Sequence, residues 1–170
     1  IGKLRKKFKA NVEVIYQFGK CNYKGKVWQI GDWKDHIEYK NGKAYRSLNV
    51  KLDDGNIMNS TKFKFLLPET RRGLNEILGS LIAKNIGFIS PETFEVFVSV
   101  NKVGSLMIFQ EDSQKELLEK NRRREGPIFE GDEELLWSIG DKSLFELEDI
   151  SLSRVINKNW FLKGKTSQII

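Results

Sequence analysis

Ile37-Glu38-Tyr39-Lys40-Asn41-Gly42-Lys43-Ala44-Tyr45-Arg46-Ser47-Leu48-Asn49-Val50-Lys51-Leu52 is the stretch that decides how this chain is read. At its centre Asn41-Gly42 separates two β-prone runs, and a two-residue type I′ turn needs positive φ at both central positions, which Asn and Gly accept. The turn sets the register: Lys40 pairs with Lys43, Tyr39 with Ala44 and Glu38 with Tyr45. Because side chains alternate across a strand, Ile37, Tyr39, Ala44, Leu48, Val50 and Leu52 are expected to face inward. Glu38, Lys40, Lys43, Tyr45, Ser47, Asn49 and Lys51 are then left in solvent.

Upstream, Val12-Glu13-Val14-Ile15-Tyr16 reads as a strand, Phe18 to Asn22 as a loop and Tyr23 to Ile30 as a second strand. Downstream, Asp54-Gly55 marks another turn before Ile57 to Leu66. Five strands within residues 10 to 66 predict a small, twisted antiparallel barrel of the Src-homology or Tudor type, or an oligonucleotide-binding barrel.

Around Pro68 the character changes. Leu74, Ile77, Leu78, Leu81 and Ile82 fall at helical spacing, and Gly87 can end the helix. Residues 91 to 110 are β-branched and aromatic around Asn101 to Gly104, which predicts a hairpin. Ser113-Gln114-Lys115-Glu116 has the form of a capping box, so a helix is expected to run to about Arg124 and stop at Gly126-Pro127. Asp132 can cap a short helix through Leu135, Leu136 and Ile139, with a further piece from Ser143 to Asn157. The fold expected is α+β: a basic small barrel over 1–67, then a mixed helical and β acidic domain over 68–170 packed against it.

Charge is divided along the chain. Residues 1 to 72 hold 17 Lys and Arg against 7 Asp and Glu, whereas residues 73 to 170 hold 12 against 16. A Lys-rich composition alone would spread that excess evenly, so its concentration on the β-rich part points to a polyanion as partner. Lys6, Lys7, Lys9, Lys24, Lys26, Lys40, Lys43 and Arg46 are the candidate phosphate contacts. Trp28 and Tyr45 are the candidate stacking surfaces for bases, with Tyr45 favoured because it opposes Glu38 on the polar face. An accessory, nucleic-acid-binding role in a larger nucleoprotein complex is the function expected, with either DNA or RNA. From Glu130 to Asp149 eight acidic residues meet one Lys, so the 130–149 segment is a candidate contact for a basic protein partner, or a cover for the basic face.

The enzymatic rival is a metal-dependent nuclease. Glu38-Tyr39-Lys40 has the spacing that places a metal ligand and a lysine on one strand face, with Asp32 or Asp35 as the preceding acid. His36 stands in a turn beside Asp35. Two weaker likenesses carry nothing further. The spacing from Arg122-Arg123-Arg124 to Asp149-Ile150-Ser151 resembles the PilZ family of cyclic-dinucleotide receptors, yet Arg154 stands where that pattern has Gly. The strings Val14-Ile15-Tyr16 and Lys26 to Gly31 are similar to the paired tripeptides of GIY-YIG nucleases, but the first Gly and second Tyr are absent.

One Cys and one His exclude a tetrahedral zinc site built mainly from those ligands within one chain. No Walker loop or G-x-G-x-x-G is present, so no cofactor is expected. No apolar run reaches the ~18 residues of a membrane span. The basic start, Lys3 to Lys9, lacks an apolar secretory stretch after it, and Cys21 has no internal partner for a disulfide. An intracellular location is the expectation.

Overall fold

The computed structural model describes residues 6–30, 37–40, 42–131 and 153–157. The chain divides into two compact units, residues 1–112 and 113–170. In the first, strands β1 (Phe8–Tyr16), β2 (Gly19–Gln29), β5 (Leu48–Leu52), β6 (Lys62–Leu66), β8 (Val103–Glu111) and β7 (Thr93–Val100) form one antiparallel sheet in that order, curled as a half-barrel. Strands β3 (Ile37–Lys40) and β4 (Lys43–Arg46) form a separate two-stranded sheet. The boundary expected between 67 and 68 falls inside this unit, because β8 pairs onto β6 from Phe63 opposite Glu111 to Leu66 opposite Ile108.

The core lies on the concave face. Val50, Leu52, Phe63 and Phe109 are buried there, with Val12, Tyr23, Val27, Phe65, Phe94 and Val96 packed against them. Phe109 is the hub: its ring stacks on Phe63 at 5.0 Å and on Phe94 at 4.7 Å, and meets Phe65 edge-on at 6.2 Å. Rings at these separations add about 0.5–1.5 kcal/mol per pair to the burial itself. Gly25 lets β5 approach closely, since a Cβ there would stand 2.7 Å from the Lys51 carbonyl oxygen.

The hairpin register read from the sequence is the observed one, but its faces are not as expected. Because β3–β4 leaves the main sheet, Tyr39 is 77% exposed instead of buried, while Tyr45 is half-buried instead of free in solvent. Ser47, expected outside, is fully buried; its hydroxyl accepts from the Leu67 amide at 3.0 Å.

Helix α1 (Asn75–Asn85) forms where expected and is followed by Gly87 with φ 89°. Its orientation corrects the reading. Glu76, Ile77, Ser80 and Ala83 are the more covered positions, while Leu74, Leu78, Leu81 and Ile82 are each about half exposed. The β7–β8 hairpin also forms as expected, turning on Asn101 and Lys102 with φ 51° and 67°.

In the second unit, α2 (Lys115–Lys120) has six residues, begins at Gln114 and carries no side-chain cap, so the expected capping box and the run to Arg124 do not form. Strand β9 (Phe129–Gly131) pairs with β10 (Ser153–Val155), and the buried Asn157 closes this ladder by accepting from the Ile128 amide at 2.8 Å and donating to the Gly126 carbonyl at 2.7 Å. The helix expected over 132–139 lies outside the described residues, as does the helical or extended piece expected from Ser143 to Asn157 apart from residues 153–157, where β10 forms. No helix among the described residues is long and apolar enough to cross a membrane.

Candidate nucleic-acid interface

The convex face of the sheet is where the pleat collects the positive charge. Lys9 pairs with Lys26, Lys26 with Lys51, and Lys51 with Lys62, so four lysines stand side by side across β1, β2, β5 and β6. At ~4.8 Å between strands this row spans about 14 Å. Directly opposed like charges are destabilising in a sheet, so the row has no value to the fold itself. Lys24, opposite Asn11, and Lys64, opposite Asn49, extend the row on either side.

Carboxylates stand at its borders. Asp112, 6% exposed, accepts from Lys62 at 2.5 Å and lies 3.5 Å from Lys64. Asp53 lies 3.7 Å from Lys26. Among the described residues Lys9, Lys24 and Lys51 have no such partner and are exposed, which leaves three free ammonium groups at the middle and far end of the row.

The chain before β1 approaches the same surface. The Lys7 ammonium sits 4.7 Å from the Trp28 ring centroid, whereas Lys6 lies 5.4 Å from that of Phe8, which pairs with Val27 on the core side of the sheet. Trp28 is half-buried on the convex face beside Asn49, so a base stacking on it would first displace Lys7 from that ring.

The remaining sequence candidates fall on the β3–β4 hairpin. Lys40 and Lys43 pair at its tip, Lys40 lies 3.9 Å from Glu38, and Tyr45 opposes Glu38. Arg46 reaches back to the main sheet, donating to the Gln29 side chain at 3.1 Å. Thus Lys9, Lys24, Lys26 and Trp28 share one face, with Lys7 beside it and Lys6 over Phe8 on the other, whereas Lys40, Lys43, Tyr45 and Arg46 belong to the second sheet.

Lys51, Lys62 and Lys64 were missing from the candidates. Lys51 was legible as outward-facing from the hairpin register; what the sequence lacked was the pairing that places it between Lys26 and Lys62.

The Glu38 and Lys40 side chains lie on one face of β3, as the nuclease reading requires, but Asp32, Asp35 and His36 lie outside the described residues. Among the described residues no three His, Cys, Asp or Glu side chains are grouped to hold a metal. Arg122, Arg123 and Arg124 are exposed and follow α2, with Arg122 in the left-handed region at φ 55°. The acidic segment lies outside the described residues beyond Gly131.

No known protein family matches the chain, and no curated protein does so either.

Proposed function

We propose that the protein binds nucleic acid through the convex face of its first unit, as an accessory component of a larger nucleoprotein assembly. The row Lys9–Lys26–Lys51–Lys62 is the observation that carries this reading. Ammonium groups on flexible stems attract phosphates as point charges and read no base edges, so the binding is tolerant of sequence and strongly salt-dependent. The hairpin lysines and Arg46 extend the contact. The curled sheet is compatible with a small barrel of the Src-homology, Tudor or oligonucleotide-binding kind, the last of which binds oligonucleotides on a strand face.

The test is fluorescence anisotropy of labelled single- and double-stranded DNA and RNA across a salt series. Replacing Lys9, Lys26 and Lys51 together by Ala should flatten the slope of log K against log salt by roughly 0.7–0.9 per lost contact. Lys62 is left in place because Asp112 holds it. An unchanged slope in the triple variant, or no binding by the parent protein at low salt, rejects the proposal.

A further inference from the structure

We propose that β7 is a self-pairing edge, and that two copies of the chain join through it into one continuous antiparallel sheet. Among the described residues β7 has a neighbour, β8, on one side only. The Glu111 amide donates to the Glu92 carbonyl, which makes 92 and 111 a hydrogen-bonded pair. Alternation then directs the backbone groups of Phe94, Val96 and Val98 toward β8, and those of Thr93, Glu95, Phe97 and Ser99 outward to the free edge.

Nothing on this edge repels a second strand. Thr93-Phe94-Glu95-Val96-Phe97-Val98-Ser99-Val100 has no Pro, no Lys and a single charge, whereas natural sheet edges are usually blunted by such residues. On its convex side alternation places Thr93, Glu95, Phe97 and Ser99, and the apolar one among them is open. Phe97 is 70% exposed and Leu106, its partner on β8, 50%. Phe97 lies over Gly104, where a Cβ would collide with its ring.

The second copy is the occupant that these features fit. Outward-pointing groups pair with one another when Phe97 stands opposite Phe97 of the other copy. Glu95 then faces Ser99 instead of another Glu95, so the one edge charge meets no like charge. The same register brings Lys102, at the hairpin tip, to the end where Glu92 of the second copy lies, and does so twice by symmetry. Eight paired residues give a seam of about 27 Å. Helix α1 crosses from β8 toward this edge, with Glu76 accepting from Gln110, Ser80 bonded to Thr93 and Lys84 paired to Glu92.

Sedimentation equilibrium of the full chain over a micromolar-to-millimolar series should show a dimer. Phe97→Lys should raise the dissociation constant by roughly 30-fold or more, as loss of a central aromatic anchor does. Ser99→Pro should do likewise, since it removes an outward N–H and spares the bonds to β8; circular dichroism of both variants should match the parent. Independently, hydrogen-bonded partners in such a pair have Cα atoms ~5.5 Å apart, within disulfide reach. Phe97→Cys with Cys21→Ser should therefore cross-link to a dimer on mild oxidation, and Ile15→Cys with Cys21→Ser, on the β1 edge, should not. A monomer throughout the series overturns the proposal. So does a dimer that survives Ser99→Pro without cross-linking through residue 97, because the contact then lies elsewhere.

Discussion

Along β1, β2, β5 and β6 the convex face of the sheet is a row of lysines, whereas at β8 and β7 the same face presents the exposed Leu106 and Phe97 beside the buried Ile108. The concave face is mainly apolar, each strand adding to the cluster around Phe63, Phe109 and Phe94, and the buried Glu111 also faces it opposite Phe63. Burial constrains the concave side of each strand and, at Leu66 and Ile108, part of the convex side too, while the remaining convex positions are open, so a single sheet can carry two surface chemistries at its two ends. Asp112 marks the change. It stands where the lysine row would cross onto β8 and holds Lys62 and Lys64 with one buried carboxylate.

The largest effect tests the difference between the two faces. Phe63→Ala should destabilise by about 3–5 kcal/mol in denaturant unfolding, the usual range for an aromatic removed from a core. Phe97→Ala, the same chemistry on the convex side, should change the unfolding free energy of the monomer by less than about 0.5 kcal/mol. Equal losses at both sites would abolish the distinction.

Next in size, Asp112→Asn acts on the border. A fully buried pair loses about 3–5 kcal/mol when one partner goes, but the two lysines are 28% and 34% exposed and partly screened, so about 1–2 kcal/mol is expected. The same change frees two ammonium groups and should tighten binding to DNA. Stability down and affinity up, measured on one variant, would sharpen the contrast; affinity down would contradict it.

The hairpin carries a smaller expectation. Lys40→Ala should weaken nucleic-acid binding a few-fold and Glu38→Ala should leave it equal or tighter, because one removes attraction and the other repulsion for phosphate. Mg²⁺- or Mn²⁺-dependent cleavage lost in Glu38→Ala would instead establish the nuclease.

The smallest effect lies at the far end of β1. Contact with Cys21 raises the pKa values of Tyr16 and Tyr23 above 10.0, first through its hydrogen bond to each phenol, the Tyr16 hydroxyl lying 3.6 Å from its sulfur. A raised value favours the neutral phenol in the fold, so this contribution is complete below pH 10.0 and is lost as pH rises through the folded-state values. Cys21→Ala should move both titrations down toward 10.0 in absorbance at 295 nm.

Local signals in the sequence were read well. Gly42, Asn101, Lys102 and Gly87 each have positive φ where the chain turns or a helix ends, and one hairpin register, a second hairpin and one helix agree with what was expected there. What was illegible depends on distant partners. Leu74, Leu78, Leu81 and Ile82 have the spacing of a buried stripe, yet α1 turns Ser80 and Ala83 toward the strands, bonding Ser80 to Thr93. Tyr39 and Tyr45 exchanged faces because no local rule says whether a hairpin joins the neighbouring sheet. The lysine row was visible strand by strand, but β2 reaches β5 only by passing over an entire hairpin, and it is that pairing that aligns Lys26 with Lys51.

That passage over β3–β4 has a consequence for how the molecule can vary. β2 and β5 are already joined at its base, Gln29 opposite Leu48 and the Ile30 amide on the Ser47 carbonyl at 3.1 Å, so the sheet is complete without the excursion between them. Loop-closure entropy changes only slowly with length. The hairpin is therefore a replaceable cassette: segments of other lengths and charges can be spliced between Ile30 and Ser47 while the strands beneath keep their alignment.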